Sequence, residues 1–260
     1  FLVHPAEASP AAPIFVAGAE ALPALYRIDR ETFGLQKSDR IAPNRAHPIR
    51  DRVVQLSRIL GVLDPDVYVG GNVPTGVAAI SGNPPAIVVA GAPGDDLTAR
   101  QRFQLGRAVF HLRRGTLALL LRDDETLAAL LRAAALIGKP DGMPRAEAAR
   151  FDEIGRVLAR TLSRKATKLL KDAAPDFFAQ PTDESALVRG LRHTANRAGL
   201  ILCGDSREAL GVCLAALSGR DLRRVAPNAV VTAIRGNEEA RELLRFSVSE
   251  EYLAIRREIG

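Results

Sequence analysis

Several residue types are scarce in this chain of 260 residues, and each scarcity narrows what the protein can be. Tryptophan is absent and tyrosine occurs only three times, so recognition of nucleic-acid bases by aromatic stacking has little support. The two cysteines, Cys203 and Cys213, have apolar neighbours, which is typical of buried thiols and not of a disulfide framework. This cysteine usage favours a reducing compartment, and we expect the protein to be cytoplasmic.

Long apolar runs are also missing. No stretch approaches the roughly 20 apolar residues that a membrane-spanning helix needs, so we expect no transmembrane segment. The sequence contains neither a phosphate-binding glycine-rich loop with its lysine nor a G-x-S-x-G nucleophile motif. Because the chain begins with Phe1 and not with methionine, we expect it to be part of a longer protein.

Charge is moderately unbalanced, with 36 lysines and arginines against 30 acidic residues and a net charge of +6. Such a balance permits binding to nucleic acid, anionic lipid or an acidic protein, but it requires none of them. Arginine far outnumbers lysine and alanine is abundant, which is typical of proteins from high-GC bacteria.

Two regions differ in composition. Residues 1–48 are interrupted by prolines, which predicts a linker or extended arm. Residues 49–260 predict a folded domain that is mostly helical with a small sheet of about three strands, hence an α+β fold. The strands, expected to form a hairpin or meander, are predicted over 66–69, 76–80 and 86–89, with a further short strand over 230–234. Helices are predicted over 50–60, 99–115, 125–137, 145–173, 183–202, 207–217 and 237–258.

The helix over 99–115, ARQRFQLGRAVFHLRRG, follows the three strands directly. A later segment reads LRHTANRAGLILCGDSREALGVCLAAL. Together with the strand segments DVYVGGNVPTGVAAI and PAIVVAGAPGDDL, these stretches resemble gluzincin metallopeptidases of the HtpX type. They resemble in particular the degenerate copies of that domain that are attached to repeat-containing bacterial proteins. The resemblance covers about residues 50–217 and implies a zincin-like fold with the small sheet beside the zinc helix.

The resemblance also assigns positions of the family's zinc site. In the family, H-E-x-x-H supplies two ligands and a glutamate base, and a later E-x-x-A-D supplies the third ligand and a supporting aspartate. By this correspondence the first histidine is replaced by Arg107, the base by Ala108, the third ligand by Arg192 and the aspartate by Asn196, whereas His111 keeps its type. We call these five residues the vestigial site.

The chemistry of the vestigial site argues against a working zinc centre. Arginine stays protonated and has no lone pair to give to a metal ion, so Arg107 and Arg192 cannot act as ligands. Ala108 cannot accept a proton from a zinc-bound water. The sequence therefore predicts no catalytic residue, no bound metal and no other cofactor.

Three alternatives remain for the residues around the vestigial site. Arg107, Arg192 and Arg197 are candidates for an anion-binding pocket, or the arginines of the cleft form ion pairs that hold the helices together. A third alternative is a hydrolase with a remodelled metal site that uses His111 and His193. Acidic residues that could pair with the arginines are Asp123, Asp124 and Asp205.

A second charged feature lies on the helix predicted over 145–173. Four basic residues recur every four positions and form a basic face, namely Arg156, Arg160, Arg164 and Lys168. A solvated helix face is the simpler interpretation, and an anionic membrane or nucleic acid is the functional one. Taken together, the sequence predicts a catalytically inactive peptidase-like domain that acts as a protein-interaction or structural module of a larger bacterial protein.

Overall fold

The structure is a computed structural model that describes residues 2–26, 28–91, 96–117, 123–179, 183–214 and 222–259. Helices dominate and a four-stranded mixed sheet accompanies them, so the predicted α+β class is confirmed. In chain order, the helices of the described residues are Ala11–Gly18 (α1), Leu22–Leu25 (α2), Pro48–Ile59 (α3), Ala99–Arg114 (α4), Asp124–Gly138 (α5), Arg145–Ala148 (α6), Asp152–Thr161 (α7), Arg164–Ala179 (α8), Glu184–Cys203 (α9), Ser206–Cys213 (α10), Pro227–Gly236 (α11), Glu238–Ser247 (α12) and Glu250–Ile259 (α13). The strands are Arg40–Ile41 (β1), Asp66–Val69 (β2), Val77–Ile80 (β3) and Ala86–Val89 (β4).

The sheet has the order β1-β2-β4-β3. β3 and β4 form the expected antiparallel hairpin, with Ala78 opposite Val88, but β2 pairs in parallel with β4, so the sheet is not a meander. The reason is the composition of β4, whose four residues are all apolar and all buried. Such a strand belongs in the interior of a sheet, and its place there leaves β3 at the edge.

The first 48 residues differ from the predicted linker or extended arm. α1 is a buried helix whose core residues include Ile14 and Phe15, and β1 adds a fourth strand to the sheet. Pro43 lies in a turn outside the helices. Other prolines that suggested a linker lie in first turns of helices, as Pro13 does in α1 and Pro23 in α2. A first turn does not use the N–H that proline lacks, so these residues start helices there and do not break them.

Two other predictions are corrected by the structure. The helix expected over 145–173 is divided, because the chain leaves the helical conformation at Leu162 and the Ser163 hydroxyl then accepts a hydrogen bond from the N–H of Ala166 at 3.1 Å to begin α8. The strand expected over 230–234 lies inside α11, which begins with Pro227 at a position that favours this residue.

The chain forms two compact units. The first contains residues 1–2, 29–113 and 192–260, and the second contains residues 3–28 and 114–191. The predicted boundary at residue 48 therefore does not separate the two units. In the first unit the core includes the sheet together with α4 and the second half of α9. In the second unit α1, α5 and α8 pack together, and Leu130 and Leu170 are almost fully buried there.

None of the helices in the described residues combines the length and the apolar character that crossing a bilayer would require.

Candidate functional site

Helix α4 carries three residues of the vestigial site and begins at a reciprocal cap. The Thr98 hydroxyl accepts a hydrogen bond from the N–H of Gln101, and the Gln101 side-chain oxygen accepts one from the N–H of Thr98 at 2.9 Å. Such a box satisfies two N–H groups that the helix leaves unpaired. The nearby Asp96 carboxylate forms an ion pair with Arg52.

Helices α4 and α9 cross at two glycines. A Cβ atom on Gly106 would lie 2.5 Å from the carbonyl oxygen of Ala198, and one on Gly199 would lie 2.8 Å from the carbonyl oxygen of Phe103. The two backbones are therefore in direct contact at this crossing. The same crossing brings the vestigial residues of α4 toward those of α9, which the sequence resemblance implied.

His111 is completely buried on α4. Burial and, to a smaller extent, the positive charges of Arg107 and Arg192 together lower the pKa of its imidazole from 6.5 to about 3. Both guanidinium groups therefore lie close enough to His111 for their charges to act on it, so the structure brings together three of the five vestigial residues. The imidazole is neutral at physiological pH.

Arg107 is held mainly by neighbours on its own helix. Its Nη1 donates a hydrogen bond to the side-chain oxygen of Gln104 at 3.3 Å, and its guanidinium carbon lies 5.9 Å from the centre of the Phe103 ring. The buried Nε atom of Arg107 has no hydrogen-bond partner among the described residues. The adjacent Ala108 is almost fully buried and carries no group that could take up a proton.

Two side chains of α9, those of His193 and Asn196, face helix α12. The Asn196 side-chain amide donates a hydrogen bond to Glu239 at 2.9 Å, and Nε2 of His193 lies 3.6 Å from a carboxylate oxygen of Glu238. Both α9 side chains are almost fully buried. His193 therefore faces a neighbouring helix.

Arg197 completes this contact between α9 and α12. Its guanidinium forms an ion pair with Glu242 and lies 4.9 Å above the centre of the Phe246 ring. The two charged side chains are only 13% and 15% exposed. Arg197 is therefore neutralised by a carboxylate of its own chain, and it differs in this from the open anion-binding residue that the sequence suggested.

The acidic partners come from α12 and not from the residues that the sequence analysis named. We refer to Glu238, Glu239 and Glu242 as the acidic row. Asp123 and Asp205 serve instead as helix caps, accepting hydrogen bonds from the first N–H groups of α5 and α10, and Asp124 is the first residue of α5. No local pattern in the sequence identifies the row, because its contacts with α9 join residues more than forty positions apart.

The two cysteines are thiols in apolar surroundings. Burial raises the pKa of Cys203 to about 11 and that of Cys213 to about 12, so both remain protonated at neutral pH. Cys213 lies close enough to Arg107 and Glu239 for both charges to act on it. Neither cysteine forms a disulfide, in agreement with the sequence interpretation.

The residues of the vestigial site do not fit a zinc ion. Two of the three ligand positions hold guanidinium groups, which cannot coordinate and which repel a dication. Within the described ranges, no group of three or more histidine, cysteine, aspartate or glutamate side chains is close enough together to hold a metal ion.

The predicted basic face is distributed over two helices. Arg156 and Arg160 belong to α7, whereas Arg164 and Lys168 belong to α8, and all four are exposed. Because the chain leaves the helical conformation between α7 and α8, the four residues do not follow one helical stripe.

Comparison of the chain with protein-family models, with curated proteins and with solved structures finds no match.

Proposed function

We propose that this chain is a catalytically inactive, peptidase-like module that serves as a structural or protein-interaction part of a larger bacterial protein in the cytoplasm. The observation that carries the proposal is His111, a buried neutral imidazole with Arg107 and Arg192 close to it. In a zinc peptidase the corresponding positions supply ligands to a cation. Here two of these positions hold cationic guanidinium groups, so the charge that the site presents is the opposite of the one that zinc needs.

The contact between α9 and α12 supports a structural role for the same residues. The acidic row gives each of the buried side chains His193, Asn196 and Arg197 a polar contact on α12, and such contacts stabilise buried polar groups. The Asn196 Oδ1 and Arg197 Nε atoms, in contrast, have no hydrogen-bond partner among the described residues. These contacts join α12 to the helix that would carry the third zinc ligand. The former site thus acts as a connection between helices, and the partner protein would bind elsewhere on the surface.

Zinc binding tests this proposal. The full chain is dialysed against a tenfold excess of zinc, and the bound metal is counted by mass spectrometry. We expect less than about one tenth of a zinc ion per chain, because only one of three ligand positions is occupied by a residue that can coordinate. The variants His111→Ala and His47→Ala should give the same value. One zinc per chain that His111→Ala abolishes and His47→Ala preserves would contradict the proposal and favour a remodelled metal site with His111 and His193.

A second candidate function is a basic adaptor for an anionic partner. The observation that favours it is that Arg160, Arg164 and Lys168 are exposed and make no recorded ion pair within the part of the chain that the structure describes. Binding to an anionic partner through such residues weakens steeply as salt increases, since counterions are released. Retention on heparin that does not change between the wild type and an Arg164→Gln, Lys168→Gln variant would exclude this candidate.

A further inference from the structure

The second unit contains an open cleft of about 550 Å³ between α5 and the segment from α6 to α7. Its walls are mainly apolar, with Leu136 and Ile137 on the α5 side and Phe151 and Gly155 on the other side. Small-molecule sites in proteins typically enclose roughly 300–1,000 Å³ and have apolar walls with few polar groups. The size and the lining of this cleft agree with that description.

Gly155 gives the cleft part of its depth. It lies in the middle of α7, where glycine costs a helix about 1 kcal/mol relative to alanine. A Cβ atom at this position would have no other atom within 4 Å. Close packing therefore does not require the glycine, in contrast to Gly138 of α5, where a Cβ atom would lie 2.2 Å from the carbonyl oxygen of Leu170. The space over Gly155 belongs to the cleft.

Two charged groups border these apolar walls, Asp152 and Arg156. The Nε atom of Arg156 donates a hydrogen bond to the backbone carbonyl of Asp152 at 3.3 Å. This is the one contact recorded for the Arg156 side chain within the described part of the chain, so its two terminal nitrogens are available to a ligand. The Asp152 carboxylate lies in the first turn of α7, where the helix dipole stabilises a negative charge.

We propose that this cleft binds an amphipathic carboxylate whose apolar chain lies against Leu136, Ile137 and Phe151. The guanidinium of Arg156 receives the carboxylate in a two-pronged contact, which is the geometry that arginine offers to such a group. The same guanidinium and the dipole of α7 offset the negative charge of Asp152, which borders the cleft as well. The site involves none of the residues of the vestigial site, so it does not depend on the function proposed above.

The site is tested by comparing two ligands that have the same alkyl chain and head groups of opposite charge. Dodecanoate and dodecyltrimethylammonium are titrated separately into the full chain by calorimetry, below the concentrations at which each forms micelles. We expect one dodecanoate per chain, bound about tenfold more tightly than the cation, because a charge-assisted contact contributes about that factor. Equal affinity for the two ligands, or no binding of dodecanoate, would overturn the proposal.

Three variants assign the contacts. Arg156→Gln should weaken dodecanoate binding about tenfold and should not weaken binding of the cation, since a like charge is removed. Gly155→Leu places a side chain in the cleft and should abolish binding of both ligands, with its helicity checked by circular dichroism. Arg160→Gln, one turn further along α7, is the matched control and should bind as the wild type does. Dodecanoate affinity that survives either Arg156→Gln or Gly155→Leu unchanged would place the ligand elsewhere.

Discussion

The two units of this chain differ in what lies between their helices. In the first unit, the interior between α4, α9 and α12 contains charged and polar side chains that contact one another, such as Arg197 and Glu242. In the second unit, the space between α5 and α7 is bordered by apolar side chains and is open. In the first region polar side chains contact one another, whereas the second region has room for another molecule.

The cleft that we propose as a ligand site contains none of the residues to which the resemblance pointed. The positions that correspond to a zinc site are the ones whose polar groups contact other side chains of the protein, such as Asn196 with Glu239. The cleft of the second unit corresponds to no motif in the sequence. A resemblance in sequence alone therefore does not fix where this chain binds a ligand.

The largest difference in stability between the two regions is expected when a glycine of each region is replaced by alanine. Gly106→Ala should lower the free energy of unfolding by about 3 kcal/mol, because its Cβ would lie 2.5 Å from a backbone oxygen that moves only if α4 and α9 separate. Gly155→Ala, in the open cleft, should instead raise it by up to about 1 kcal/mol. Urea unfolding of both variants measures the difference. Equal changes in the two variants would show that the helix crossing is not close.

A smaller effect is expected from the ion pair of α9 and α12. Glu242→Ala leaves Arg197, which is 13% exposed, without its carboxylate and should lower the free energy of unfolding by about 2 kcal/mol. The control is Arg58→Ala, which removes a pair whose side chains are 55% and 65% exposed and should cost less than about 0.5 kcal/mol. If urea unfolding gave similar losses for both variants, the contact between α9 and α12 would have no special role in stability.

The pH dependence of stability gives the next effect. The pKa of His111 is about 3 in the folded chain and near 6.5 when the residue is exposed. As the pH falls below 6.5, the unfolded chain takes up a proton at His111 that the folded chain does not. The free energy of unfolding is therefore highest above pH 6.5 and decreases as the pH falls toward 3. Between pH 7.5 and 5.5 the loss should be roughly 1.4 kcal/mol.

The variant His111→Gln isolates that contribution, since glutamine does not titrate. The difference in unfolding free energy between the wild type and the variant should shrink by the same amount over this pH range. A difference that stays constant would mean that His111 is not a buried neutral imidazole.

Much of the fold could be predicted from the sequence, for local reasons. The strands at 66–69 and 86–89 and the helix of Arg107 follow from clear periodicity and turn signals, and the structure has them at those positions. β1 has only two residues, too few for any pattern to show, and depends on its partner β2. The run Val230–Ile234 has strand-like composition, but it packs as a helix against the small core around Leu210, so tertiary contacts override propensity.

The candidate sites were predictable only in part. Proximity of Arg107, His111 and Arg192 was implied by the resemblance, and the structure places the three together. The acidic row was missed because its pairing with α9 joins residues more than forty positions apart. The cleft was missed as well, since it depends on how α5 and α7 pack and on the absence of a side chain at Gly155.

The central claim is that α4 and α9 are arranged as in a zinc site and that only the residue types prevent metal binding. Restoring those types by Arg107→His, Ala108→Glu and Arg192→Glu tests it directly, with zinc counted per chain and folding checked by circular dichroism. The account predicts one zinc per folded chain in the triple variant and none in the wild type. A folded triple variant without zinc, or a wild type that already binds one zinc per chain, would contradict it.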